Sequence, residues 1–238
     1  QLCRGSLPGR RDEMMRGKAG MVSRHGDKAR EVLLDAAEEL FASHGIDAVS
    51  NRKITEHAGT ANHSAIKYHF GSREDLLQAM LQRALDDMRS CRNRLPSLAG
   101  GPEASLREVV TVRTLPWIYS FDALPRPSWR AQFLYQARLH PGLPAIVGDS
   151  LRDEVLSVAG PGRARKEFEG IPEVVVRSRA LILGPMFLGL CAQYERTVNE
   201  GKQQGNWESL GYFLVDSMVG MLAAPSTAAA DFMGFGED

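Results

Sequence analysis

A chain of 238 residues is long enough for one large domain or two smaller ones, and its 43% hydrophobic and 24% charged residues are ordinary for a soluble globular protein. The formal net charge is zero, but residues 1–95 carry 16 Lys and Arg against 13 Asp and Glu, so a mild positive excess lies in the N-terminal part. No run approaches the roughly 18 consecutive apolar residues that cross a bilayer, so we expect no membrane segment and a cytoplasmic protein.

The N-terminal part begins with residues 1–26, where Arg, Lys and Gly are scattered without periodicity, which predicts a disordered basic arm. From Asp27 onward, apolar residues recur at helical spacing with charged residues on the opposite face. This pattern predicts a first helix that ends near His44, with Gly45 as the residue that stops it.

Two short helices are predicted next, separated by a tight break. Ser50 is a good N-cap for the first of them, which stops at Gly59. Thr60 or Asn62 is suited to cap the second, which ends near Phe70. Two helices joined in this way form a helix-turn-helix, the arrangement that places one helix in the major groove of DNA.

The rest of the chain also reads as helical. Ser72 and the acidic residues after it predict the start of a fourth helix, and the Gly, Pro and Ser of residues 95–102 predict a domain joint. Beyond the joint we expect five helices and no strands, at residues 106–120, 128–139, 145–158, 172–198 and 206–222. The predicted fold is therefore all-α, with a homeodomain-like helix-turn-helix domain at 27–95, a helical body at 103–223 and a flexible tail at 224–238.

Polar, basic and aromatic side chains of the helix-turn-helix are the candidates for contacts with DNA. Phosphate contacts favour basic groups, hydroxyls and helix N-termini, whereas Asn suits adenine and Lys or His suits guanine. The candidate DNA-binding residues are Ser50, Arg52, Lys53, Thr60, Asn62, His63, Ser64, Lys67, Tyr68, His69 and Arg73. Ile54, Ala58, Ala65, Ile66 and Phe70 are predicted to pack the small core instead.

Each candidate also has an ordinary structural explanation. Ser50 has the residue type of a helix cap, and Tyr68 or His69 has the size of a core residue. Single basic residues such as Arg52 or Arg73 are usually solvated charges. Their clustering across one helix-turn-helix is what favours DNA, although the motif also occurs in proteins that never bind it.

The sequence resembles a known family in this region. Residues 28–80 contain AREVLLDAAEELFASHGIDAVSNRKITEHAGT, followed after three residues by SAIKYHFGSREDLLQAM. This order and spacing resemble the N-terminal domain of the TetR/AcrR family of bacterial transcriptional regulators. The commoner family pattern is one residue shorter before Phe70, so we expect a longer turn around Thr60, and Lys67 stands where an aromatic residue is frequent.

The resemblance implies a homodimer that binds a palindromic DNA operator and is released by a small effector in its body, most often as a repressor. Two short recognition helices on half-sites about 34–36 Å apart also read more bases than one helix does. The residues predicted for the dimer interface are Phe187, Leu190, Tyr194, Trp207, Leu210, Leu214 and Met218. For a largely apolar effector the predicted pocket comprises Trp117, Tyr119, Phe121, Trp129, Phe133, Tyr135 and Met186, although aromatic residues at helical spacing are more often core.

Other functional classes find less support in the sequence. The three cysteines, Cys3, Cys91 and Cys191, fit no zinc spacing, and their odd number favours reduced thiols. The chain has no Gly-rich phosphate loop and no nucleophile elbow, so we expect no catalytic site, cofactor or metal. The remaining alternative is a helical adaptor whose helix-turn-helix domain binds another protein, without salt-dependent affinity for DNA.

Overall fold

The computed structural model describes residues 10–94, 104–141, 143 and 166–226. This part of the chain contains eight α-helices and no β-strand, which confirms the all-α prediction. The helices are α1 (Arg10–His44), α2 (Asn51–His57), α3 (Ala65–Phe70), α4 (Arg73–Asn93), α5 (Leu106–Asp122), α6 (Arg130–Leu139), α7 (Glu173–Asn199) and α8 (Trp207–Ala223). The helix predicted at 145–158 and most of the predicted tail lie outside the described residues.

The described residues form two compact units, whose boundaries pass through α1 and α4. The first unit, the head, takes residues up to Ala37 together with Ser50–Leu77. The second unit, the body, takes Glu38–Val49 and the residues from Gln78 onward. The sequence predicted a joint at 95–102, which lies outside the described residues. The last turns of α1 and most of α4 instead belong to the body because buried contacts tie them to α6.

The first helix is longer than predicted, since it begins at Arg10 rather than at Asp27. Residues 10–26 contain no proline, and extending a formed helix gains one backbone hydrogen bond for each residue that is added. The predicted end is confirmed. Gly45 follows the helix with a φ of 84° and donates its N–H to the carbonyl of Phe41 at 2.9 Å.

Gly211 brings α8 into close contact with α5 in the body. A methyl group at this position would lie 2.8 Å from Cδ2 of Leu115 and about as close to Ile118, so a side chain there would displace the α5 core. Beside this contact, the ring of Phe121 lies 5.4 Å from that of Trp207, which also receives Tyr194 edge-on at 4.9 Å. Packing between α5 and α8 therefore depends on one small residue and an aromatic cluster.

The first turn of α6 is capped by a carboxylate from another helix. Trp129 at the N-cap position of α6 makes no side-chain cap, and its role passes to Glu195 of α7, which is 1% exposed. The carboxylate of Glu195 accepts the backbone N–H groups of Ala131 and Gln132, the Gln132 side-chain amide and the Ser128 hydroxyl. Burial raises the pKa of Glu195, and these four donors act in the opposite direction. A buried carboxyl thus satisfies helix N–H groups that would otherwise lack partners.

A buried ionic cluster joins α6 to the body portions of α1 and α4. Arg130 is 4% exposed and donates to Glu38 of α1 through Nε and to Asp87 of α4 through Nη1, the latter at 2.9 Å. Glu38 also accepts Nη2 of Arg83 at 2.5 Å. Two guanidinium groups and two carboxylates therefore balance one another where three helices meet, and Phe41 stacks on Phe133 in the same unit.

The seventh helix is long and apolar enough to cross a membrane, with a mean hydropathy of 1.6 over 18 residues. The sequence prediction counted consecutive apolar residues and found no such segment. Length and composition alone are weak evidence, because the core helix of a soluble protein meets the same criterion. Here α7 packs on α6, and its Phe187, Leu188, Cys191 and Ala192 are buried, so we interpret it as a core helix.

The ionic cluster predicts a large effect of Arg130→Met on stability. The change leaves Glu38 buried with less compensation, and we expect the free energy of unfolding to fall by about 3 kcal/mol. Urea denaturation followed by circular dichroism measures this value. Arg177→Met removes an exposed ion pair to Glu173 and is the matched control, with an expected change within about 0.5 kcal/mol. Equal losses in the two variants would contradict a stabilising role for the cluster.

Candidate DNA-binding surface

The second helix begins at a serine cap, as the sequence predicted. Oγ of Ser50 accepts the backbone N–H of Lys53 at 3.2 Å, and Ile54 and Thr55 bury the inner face of α2. Gly59 follows the helix with a φ of 67°, where a residue with a side chain would be strained. Ser50 is therefore a helix cap in this structure, while its exposed hydroxyl proton stays available to a phosphate oxygen.

The turn between α2 and α3 extends to Ser64, so α3 is shorter than the sequence pattern predicted. A cap at Thr60 or Asn62 would place His63 and Ser64 on the third helix, but both precede it, and the helix starts at Ala65. The reason is a local hydrogen bond in which Oδ1 of Asn62 accepts the N–H of Ser64 at 2.9 Å. Thr60 accepts the N–H of Asn62 in the same way at 3.2 Å. These exposed side chains thus stand on the turn, as the longer turn predicted around Thr60 requires.

The third helix divides its residues between a buried face and an exposed face. Ala65 and Ile66 are buried, which confirms their predicted place in the small core. Lys67 is exposed, and Tyr68 is 80% exposed, the largest exposure among the large hydrophobic residues that the structure describes. The ring of His69 is half-buried and meets Tyr68 edge-on at 4.9 Å. A lysine, an exposed tyrosine and a histidine therefore lie consecutively on this short helix.

Basic residues flanking the turn differ in what they contact. Nε of Arg52 donates to Oε1 of Glu56 at 2.8 Å, so its charge is already paired. Nη1 of Arg73 donates to Oδ1 of Asn51 at 3.0 Å, which links the start of α4 to the start of α2. Lys53 and Lys67 have no ion-pair partner among the described residues. The two lysines therefore offer the more available positive charge on this surface.

A half-open groove of about 260 Å³ lies within the head, next to the turn. Its walls are mostly apolar, with two basic side chains among them. The lining residues are Lys28, Ala29, Val32, Leu33, Ala58, Thr60, Ala65 and His69. None of them belongs to the predicted effector pocket, which was placed in the body.

The residues predicted to bind an effector do not form one cluster in the body. Trp117 and Phe121 pack toward Trp207, whereas Phe133 is fully buried against Phe41. Tyr135 lies beside Gly189 of α7. Of the remaining residues, Tyr119 donates its hydroxyl to Glu208, and Trp129 and Met186 are half-buried. Burial raises the pKa of Tyr119 to about 12, so this hydroxyl stays protonated as a donor.

The residues predicted for the dimer interface are largely used inside the chain itself. Four of them, Phe187, Trp207, Leu214 and Met218, are buried within the body. Leu190, Tyr194 and Leu210 are half-buried. The large apolar residues that α7 and α8 expose are instead Ile182, Tyr212 and Phe213, with 50%, 48% and 58% of their surface accessible. Spacing along a helix cannot tell which of two apolar faces the chain covers itself.

Three charged residues that matter here escaped the sequence prediction. Arg130 of α6 and Glu195 of α7 are buried. No local pattern marks them, because their contacts lie 43 or more residues away. Glu56 did carry a signal, since an arginine four residues before a glutamate on one helix predicts an ion pair. That pair lies within the predicted DNA-binding surface and reduces its charge.

Comparison with known proteins shows that the region containing this surface is similar to a known family. Residues 33–80 match the family model of bacterial regulatory proteins of the tetR family. The chain is 27% identical over 139 residues to the HTH-type transcriptional repressor NicS of Pseudomonas putida strain KT2440. That match covers 58% of this chain and 62% of the length of NicS.

Two solved structures match most of the chain at low identity. The crystal structure of the multidrug binding protein EbrR complexed with imidazole gives a TM-score of 0.47 at 21% identity, covering 84% of this chain and 93% of EbrR. The crystal structure of a gamma-butyrolactone receptor, an ArpA-like protein, gives 0.46 at 17% identity, covering 82% and 98%.

Replacement of Ser50 separates its role as a cap from a role at a phosphate. Ser50→Asp retains a good N-cap, so we expect little loss of stability, whereas Ser50→Ala should cost about 1 kcal/mol. The new carboxylate repels phosphate, so Ser50→Asp should weaken DNA binding at least ten-fold if Ser50 lies at the backbone. Denaturation and fluorescence anisotropy measure the two effects. Normal DNA affinity in the Asp variant would restrict Ser50 to its structural role.

Proposed function

We propose that this chain is a transcriptional repressor of the TetR family of bacterial regulatory proteins and that it binds double-stranded DNA through its head. The observation that carries the proposal is the exposed row of Lys67 and Tyr68 on α3, next to the polar turn of Asn62, His63 and Ser64. Lysine suits guanine acceptors or phosphate, and a protruding tyrosine suits the backbone at the groove edge. Repression is proposed because the relative NicS is a repressor.

Binding as a homodimer to a palindromic operator is part of the proposal. A recognition helix of six residues contacts few bases, and a two-fold dimer doubles these contacts on half-sites about 34–36 Å apart. The exposed apolar residues Ile182, Tyr212 and Phe213 on α7 and α8 support an interface on these helices. Of the residues predicted from sequence, the half-buried Leu190, Tyr194 and Leu210 retain surface for it.

Release by an effector completes the proposed function. A small, largely apolar molecule in the body would act if it prefers a conformation in which the two heads no longer match the groove spacing. The half-buried Trp117, Trp129, Tyr135 and Met186 remain the candidates for contact with it. Phe121 and Phe133 are buried core residues, so substituting either would disturb the packing of the core whether or not it contacts the effector.

DNA binding is tested with duplexes that tile the region upstream of the gene. Fluorescence anisotropy of the purified protein should select one duplex with a palindrome and lose affinity as salt rises. Lys67→Met and Tyr68→Ala should each weaken that binding about ten-fold or more, because each removes an exposed contact of α3. Lys202→Met, an exposed lysine of the body, is the matched control and should bind normally. Salt-independent or absent binding by the wild type would overturn the proposal and favour the adaptor alternative.

The dimer is tested by placing a charge on its proposed surface. Phe213→Glu introduces a carboxylate where an apolar ring would be buried against the same patch of the partner, so the dimer should dissociate. Sedimentation velocity should then show a monomer, while circular dichroism stays unchanged since Phe213 is 58% exposed in the single chain. Phe213→Leu preserves apolar contact and should remain dimeric. A dimer that tolerates glutamate at this position would place the interface elsewhere.

A further inference from the structure

We propose that Glu56 withholds Arg52 from DNA phosphates and thereby limits the affinity of the head for DNA of unrelated sequence. This inference rests on the proposed function, and it concerns a residue of α2 that is not among the candidates for contact with DNA. Its consequence is weaker non-specific binding, which leaves less of the protein bound at the many competing genomic sites.

The contact itself is direct and lies on the surface. Nε of Arg52 donates to Oε1 of Glu56 at 2.8 Å, with 75% and 51% of the two side chains exposed to solvent. The four-residue spacing places both groups on one face of α2. The hydrogen bond with Arg52 lowers the pKa of Glu56, and the same bond raises the pKa of Arg52. Both groups therefore stay charged near neutral pH.

Glu56 is also isolated in charge. Between Ser50 and Arg73 the sequence holds two arginines and two lysines, and Glu56 is the only acidic residue. A carboxylate in this segment would repel phosphates and offset one of its four cations. The ion pair is solvated, so it contributes little to folding. Because the pair lies on the segment proposed to face DNA, its effect on the charge of that surface is larger than its effect on stability.

Counterion release explains how the pair of Arg52 with Glu56 limits the affinity for non-specific DNA. A cation that neutralises a phosphate releases condensed ions and adds about 0.9 to the salt dependence of binding. An arginine that is held by Glu56 makes no such contact and adds nothing to this salt dependence. Non-specific binding depends almost wholly on such contacts, whereas an operator also supplies base contacts. Pairing Arg52 with Glu56 therefore removes a larger share of the binding free energy from non-specific DNA than from an operator.

The test compares wild type with Glu56→Ala, in the full-length dimer, on the selected palindromic duplex and on a scrambled duplex of equal length. We expect the variant to bind scrambled DNA several-fold more tightly at 50 mM salt. With one new phosphate contact on each of two heads, the slope of log K against log salt should steepen by about 1.8. Affinity for scrambled DNA should consequently fall about ten-fold further than in wild type between 50 and 200 mM salt.

Two further variants assign the effect to Arg52. Arg52→Gln should leave the salt slope of the wild type unchanged but cancel the steeper slope of Glu56→Ala. Glu56→Asp keeps the negative charge on a shorter side chain that cannot hold Arg52 as closely, so its slope should lie between those of wild type and Glu56→Ala. Higher affinity with an unchanged slope in Glu56→Ala would indicate simple repulsion and would overturn the withholding of Arg52.

The outcome also distinguishes this inference from the proposed function. If the wild type binds none of the duplexes at 50 mM salt, the proposal of a DNA-binding regulator fails. If the wild type binds a palindrome and Glu56→Ala matches it on both duplexes and at every salt concentration, the role of Glu56 alone fails. Circular dichroism of each variant checks the fold, which should be unaffected since both side chains are exposed.

Discussion

The N-terminus of α6 is where the body of this protein is held together, because two buried charges of opposite sign converge there. Arg130, the first residue of the helix, reaches Glu38 on α1 and Asp87 on α4. Glu195 on α7 accepts the free N–H groups of the same turn. Burying either charge without its partners is costly, so these contacts require α1, α4, α6 and α7 to keep one arrangement. The last turns of α1 and most of α4 thus belong to the body unit.

The head is organised by weaker and more local forces. Caps, glycines of positive φ and short side-chain hydrogen bonds define α2, the turn and α3, whose inner faces bury only a few residues such as Ile54 and Ile66. This local organisation leaves Lys67 and Tyr68 exposed on the outer face of α3. Charge on that surface is set by the half-buried Lys53, the exposed Lys67 and the pair of Arg52 with Glu56.

The predictable parts of the structure were those governed by near neighbours. Ser50 caps α2, Gly45 ends α1, and Ala65 with Ile66 fills the small core, as residue types and spacing indicated. Predictions were less accurate where a local bond competed with helix formation. Asn62 can cap a helix or close a turn, and its side chain accepts the N–H of Ser64, which delays α3. The contacts between apolar residues of the body were not predicted. Two helices with similar periodicity offer several faces that can be buried, so spacing alone does not select one of them.

The sequence by itself determined the helical class, the position of the helix-turn-helix and the family resemblance of residues 28–80, since each of these follows from contacts within a few residues. Only the tertiary structure decided which aromatic residues meet, which apolar residues of α7 and α8 stay exposed, and that Arg130 and Glu195 share the start of one helix. The contacts of Arg130 and Glu195 join groups that are 43 or more residues apart. No local pattern encodes such pairings, because a buried charge and a solvated one look alike until the partners that surround them are known.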